Sequence, residues 1–162
     1  MSVRYLALFF FMIVNANVYA VDSVLVINDV PIECINDVAV RYHIPALLII
    51  STLKTENGHA GEANRNTNGT VDYGPMQVNS SWLPKIMAYG FTRDSLQFDA
   101  CANVEVGAWI MAQEIADGKT LRRGIGNYHS HTPGKNTFYA NKIARSYDKI
   151  SDYLNVAQQF PR

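Results

Sequence analysis

From residue 33 onward the chain alternates between stretches whose apolar residues recur every three to four positions and stretches with no period. Cys34, Ile35, Val38, Ala39 and Tyr42 fall on one helical stripe, which His43-Ile44-Pro45 interrupts. Pro45 suits the first turn of a second helix, predicted to run to about Asn57 with Gly58 as a left-handed cap. Residues 58–71 ("GHAGEANRNTNGTV") mix Gly58, Gly61 and Gly69 with Asn64, Asn66 and Asn68 and read as loop. "DYGPMQVNSSW" reads as a turn or irregular hairpin, since Pro75 argues against a central strand.

Ser81-Trp82 opens a short helix to about Tyr89, stopped by Gly90, and Thr92 or Asp94 can cap one further turn. A longer helix from about Cys101 to Asp117 sets Val104, Ala108, Met111, Ala112 and Ile115 on one face and stops at Gly118. Leu121 to Tyr128 predicts another short helix, "HSHTPGKNT" a loop, and Phe138 to Leu154 the last long helix. The expected class is α+β, mostly α, with a small irregular β-containing lobe after the second helix.

The start of the chain follows a different pattern. Arg4, the apolar run Leu6 to Val14 and the small-residue ending Val18-Tyr19-Ala20 predict a secretory signal peptide, residues 1–20, cut after Ala20. The run is far shorter than the roughly 20 residues a membrane span needs, so no stable membrane anchor is expected. Residues 21–32 then read as an extended mature N-terminus, 33–154 as one domain and 155–162 as a C-terminal tail.

Export changes the reading of Cys34 and Cys101. In an oxidising compartment a single disulfide between them is the default, with two free thiols, one of them catalytic, as the alternative. The bridge would close a long loop and stabilise by roughly 2–4 kcal/mol. Without Arg4 the exported chain has 13 Lys and Arg against 14 Asp and Glu. That balance argues against nucleic acid as a partner, because phosphate binding needs a basic stripe.

One residue breaks the apolar pattern. Ile49, Leu53 and Glu56 share a helix face, so a carboxylate ends a stripe that should be buried. Two readings are open. Glu56 is either an ordinary salt-bridged or amide-capping residue at a helix end, or a carboxyl kept there for chemistry. A helix C-terminus and apolar neighbours both favour the protonated form. A carboxylic acid protonated near neutral pH is what a glycosidic leaving group needs as its proton donor.

Two metal readings fail on their own terms. Asn64, Asn66, Asn68, Gly69 and Asp72 fall at the offsets of a calcium loop, but its twelfth position is Pro75 instead of a bidentate glutamate. His129 and His131 alternate in a loop with His43 and His59 distant in sequence, and nothing fixes them together as zinc ligands. No metal and no cofactor is expected.

The linked order of Glu56-Asn57, "NRNTNG" from Asn64, "DYGPMQVN" from Asp72 to Asn79, Trp82, "YHSHTP" and "FYANKIARSY" resembles the lytic transglycosylase domain of the soluble-lytic type. The likeness covers about residues 33–150. A small exported chain of this kind looks like the specialised members that serve conjugation, secretion or pilus systems. The resemblance implies a lysozyme-like fold, a periplasmic location and cleavage of the MurNAc–GlcNAc β-1,4 bond of peptidoglycan, leaving 1,6-anhydro ends. It implies that Glu56 is the single catalytic acid/base. Asn57, Asn66, Gln77 and Asn79 would line the sugar cleft, Met76 a cleft wall, and Tyr128 would lie near Glu56 and orient it; Trp82 is expected in the core.

The resemblance also implies glycan strands as the partner and, beyond them, components of a secretion, conjugation or pilus apparatus; the near-neutral surface suggests a monomer. Asn57 stands where the family usually has Ser, Pro75 where an aliphatic residue is common, and "YHSHTP" replaces Tyr-Asn-Ala-Gly. Two rivals follow from the same residues. A hydrolytic lysozyme would need a second carboxylate facing Glu56, with Asp72 the first suspect, and a non-catalytic wall-binding protein would use the cleft as a clamp.

Overall fold

The structure is a computed structural model that describes residues 25–159, so the expected signal peptide and residues 21–24 and 160–162 lie outside the described residues. It is mostly helical with two small antiparallel sheets. The chain opens on a hairpin, β1 (Val26–Ile27) and β2 (Val30–Pro31), in place of the extended arm expected for 21–32. Asn28 and Asp29 both adopt positive φ, the turn geometry that right-twisted two-stranded hairpins favour.

Helices α1 (Ile32–Tyr42) and α2 (Ala46–Glu56) follow the predicted break. Each ends on a left-handed residue, His43 and Asn57. The cap of α2 is therefore Asn57 and not Gly58. Asparagine tolerates this conformation, which frees Gly58 for a packing role. The polar stretch expected to be loop contributes β3 (Ala63–Arg65), which pairs with β4 (Val71–Tyr73), and β4 pairs with β5 (Val78–Asn79). Pro75 sits in the β4–β5 turn, where its missing N–H breaks no ladder.

Beyond this lobe come α3 (Leu83–Ile86), flanked by single 3₁₀ turns, and α4 (Arg93–Phe98), capped by Thr92 through a reciprocal capping box with Ser95. Helix α5 (Ala100–Asp117) runs through the middle of the molecule. It buries Val106 and Ile110 as well as the predicted Val104–Met111 face, so it has no wholly polar side. Gly118 after it is right-handed, and the left-handed residue there is Lys119.

Helix α6 (Leu121–His129) leads into α7 (Pro133–Gln159), which begins five residues before the predicted Phe138. It also continues past Leu154, so helix occupies 155–159 of the expected tail. Pro at the first helical position explains the early start. Helix α7 packs on α2 and α6, and α5 packs on α1 and α6. Cys34 in α1 and Cys101 in α5 form the expected disulfide and tie the two helices together.

Candidate active site

The end of α2 is built to hold a carboxyl group in poor contact with water. Ile49 and Leu53, two turns and one turn before Glu56, are fully buried. Glu56 keeps some of its surface exposed, but its carboxyl end is desolvated. Burial is the main reason its pKa rises from 4.5 to about 7. The hydroxyl of Tyr139 donates to Glu56 Oε1, and that bond and the charge of Lys142 both act to lower the pKa. The negative charge of Asp72 acts to raise it. Burial wins, and Glu56 is divided between its two protonation states near neutral pH.

Several elements fix this helix end. Asn28, in the N-terminal hairpin, donates to the carbonyl of Leu53 (3.3 Å), which also accepts the Asn57 N–H, and to that of Gly58 (3.2 Å), tying the hairpin to the end of α2. Lys142 Nζ reaches the Thr55 carbonyl at 3.4 Å. Gly58 is buried against the β4–β5 turn, where any Cβ would collide with the Gly74 carbonyl and the Gln77 side-chain amide. The absence of a side chain there brings α2 and the lobe together.

The lobe supplies a second carboxylate. Asp72 on β4 accepts from Asn66 Nδ2 on Oδ2 (2.8 Å) and from Asn79 Nδ2 on Oδ1 (2.6 Å). Both amides also donate to Thr70 Oγ1, at 3.1 and 2.9 Å. Asn66 and Asn79 thus hold Asp72 in one orientation. Gln77 is half-buried in the turn, with its amide donating to the Gly74 carbonyl (2.8 Å) and its oxygen accepting from Asn64 (2.8 Å). Asn57 is exposed beside Glu56 as the helix cap.

Two expected placements are corrected. Tyr128 does not hold Glu56; its hydroxyl donates to the Met76 carbonyl at 2.9 Å. Met76 is completely buried against Gly107 and cannot wall a cleft with its side chain. Trp82 packs against the core as expected, half-buried and edge-on to Trp109.

The residue that bonds Glu56 is Tyr139, which sequence reasoning placed only in a helical motif. Tyr139, Ala140 and Ile143 form the buried stripe of α7, and a tyrosine on such a stripe needs a partner for its hydroxyl. That signal was available, but the identity of the partner was not. His129 stacks flat on Tyr139, with ring centroids 4.9 Å apart and planes 9° apart. Burial, then Lys135, lowers the His129 pKa, so its ring is neutral at neutral pH.

Asn103 was likewise missed. Fully buried in α5, it donates to the carbonyls of Tyr73 (2.7 Å) and Leu96 (2.8 Å) and accepts from the Met76 N–H (2.8 Å). It pins the β4–β5 turn to the helical core. Among the described residues no three His, Cys, Asp or Glu side chains are grouped to hold a metal ion, and no helix is long and apolar enough to cross a membrane.

No family model matches the sequence. The chain is similar to protein IpgF of Shigella flexneri, 27% identical over 124 residues that span 74% of this chain and 82% of that one. It is 26% identical to the invasion protein IagB of Salmonella typhi over 133 residues, 79% of this chain and 83% of the other. A peptidoglycan-binding-like protein of Escherichia coli O157:H7 is 25% identical over 134 residues, covering 75% and 80%.

Proposed function

We propose that the protein is a peptidoglycan lytic transglycosylase of lysozyme-like fold, exported to the periplasm and acting there as a monomer. The observation that carries this reading is Glu56, a desolvated carboxyl with a pKa of about 7 bonded by Tyr139 and facing the charge of Asp72. Similarity to a peptidoglycan-binding-like protein supports the substrate, and similarity to an invasion protein supports local wall opening for a secretion, conjugation or pilus machine.

The mechanism follows from the chemistry of the site. Protonated Glu56 gives its proton to the oxygen of the MurNAc–GlcNAc bond as that bond breaks. The MurNAc N-acetyl group stabilises the cationic carbon. The Glu56 carboxylate then accepts a proton from the MurNAc 6-hydroxyl, whose oxygen closes the 1,6-anhydro ring. Attack from within the same sugar gains from proximity and needs no bound water. Tyr139, whose burial and proximity to Glu56 keep its hydroxyl protonated, steers the carboxyl through both steps. Gln77 and Asn57 offer amides to sugar hydroxyl and N-acetyl groups, while Asn66 and Asn79, whose N–H groups bond Asp72 and Thr70, act by holding Asp72.

One observation favours a second reading. Asp72 is the second carboxylate that a hydrolytic muramidase needs, held by two amides and close enough for its charge to act on Glu56. Mass spectrometry of muropeptides released from purified peptidoglycan separates the two. Products one water lighter than reducing muropeptides, absent with Glu56→Gln, are expected. Reducing products would assign hydrolysis with Asp72 as partner, and no products from either protein would leave a non-catalytic wall-binding protein.

A further inference from the structure

A cavity of about 360 Å³ opens between the end of α1, the outward side of α5 and residues 86–91. It shares no residue with the surroundings of Glu56. On α5, Gly107 faces inward against Met76, and Trp109, two residues on, projects from nearly the opposite side. Tyr42, Tyr89, Phe91 and Trp109 give the cavity aromatic walls, and the Glu105 carboxylate stands among them.

The polar groups select the occupant. Arg41 and the Tyr42 hydroxyl (3.2 Å) both bond Glu105 Oε1, leaving Oε2 as a further acceptor. A purely apolar side chain seated here would cover that carboxylate without giving it a donor, which costs free energy. A pyranose instead packs its C–H face on aromatic rings while its hydroxyl and N-acetyl N–H groups donate outward. Tyr89 offers such a ring, 72% exposed and tilted beside Trp109 at 6.3 Å. Lys85 Nζ lies 5.1 Å from the Trp109 ring centre, and with Arg41 it outweighs Glu105 in charge. A cationic rim suits the carboxylates of peptidoglycan stem peptides.

We propose that this cavity is a second glycan-binding site, taking an N-acetylated aminosugar of the polymer that Glu56 cleaves and holding the protein to the wall away from the cleft. The inference rests on the peptidoglycan reading of the site, and its test separates the two. Of the two tryptophans in the chain, Trp109 lines the cavity and Trp82 stands edge-on to it. The Trp109 indole N–H signal therefore reports on the cavity.

The experiment is a titration of ¹⁵N-labelled Glu56→Gln protein with the β-1,4 tetramer of N-acetylglucosamine, repeated with Tyr89→Ala added. Tyr89 is exposed, so its replacement leaves the fold intact. The expected result is a saturable shift of the Trp109 indole signal, weakened about tenfold or more by Tyr89→Ala. Tyr89→Ala in the active protein should reduce release of muropeptides from whole sacculi several-fold. Shifts confined to Asn57, Gln77 and Asn79 would overturn the proposal and leave the catalytic reading standing. The Trp109 shift together with no muropeptide release by the wild-type protein would uphold the binding site and remove the enzyme. A Trp109 indole indifferent to the sugar would likewise overturn the proposal.

Discussion

The hydroxyl of Tyr139, on α7, donates to Glu56 Oε1 at the end of α2, joining residues 83 positions apart in sequence. This bond stabilises the carboxylate over the acid and so restrains the rise in pKa that burial imposes. Tyr139→Phe should move the alkaline limb of the pH–rate profile upward, because Glu56 then holds its proton more tightly. Loss of orientation should lower kcat by up to about a hundredfold, as misplacing a catalytic group by about 1 Å does. Tyr128→Phe, which breaks only the bond to Met76, should leave the pH profile in place. Rate measurements on soluble glycan between pH 5 and 9 would check both variants.

Glu56 also affects stability. Its folded pKa of about 7 lies above the usual 4.5, so the folded state binds the proton more tightly than the unfolded chain does. The penalty is absent below pH 4.5, grows between 4.5 and 7, and is complete above 7, where it reaches roughly 3 kcal/mol. Glu56→Gln removes the titration and keeps an oxygen for Tyr139 to bond. The variant should have a higher Tm than wild type at pH 8 and nearly the same Tm at pH 4.5, while catalysis falls by about 10²–10⁴. Thermal unfolding at the two pH values decides it.

Asp72→Asn removes a charge that raises the Glu56 pKa. The alkaline limb should therefore move to lower pH, opposite to the effect of Tyr139→Phe. Where Asp72 stabilises the cationic sugar, kcat should fall as well, by about 10²–10³ as for other fixed electrostatic groups at a reacting centre. A profile shifted without loss of kcat would limit Asp72 to tuning Glu56.

Asn103→Ala should be severely destabilising. It would leave the carbonyls of Tyr73 and Leu96 and the N–H of Met76 buried without partners. Three such groups cost roughly 3–5 kcal/mol together. Urea unfolding should show a much lower midpoint with an unchanged slope.

The local elements were legible because their causes are local. The α1 stripe, the break at His43-Ile44-Pro45 and the Gly90 stop each rest on neighbours in sequence. Glu56 stood out because it interrupts a period. Strand β3 was read as loop because its cross-strand partners lie six to ten residues away and its own residues are exposed and mostly polar. The cap of α2 moved from Gly58 to Asn57 because Gly58 is held by a tertiary contact that propensity cannot register.

By itself, the sequence determined which carboxyl ends an apolar helix, the order of the main helices and which two cysteines were available to pair. Tertiary structure decided what surrounds that carboxyl. Tyr139 comes from the last helix, Asp72 from a sheet and Asn28 from the first hairpin, and no periodicity connects them. The pKa of Glu56 depends on desolvation and on charges brought close through space, and these arise only when α2, α7 and the β lobe pack together.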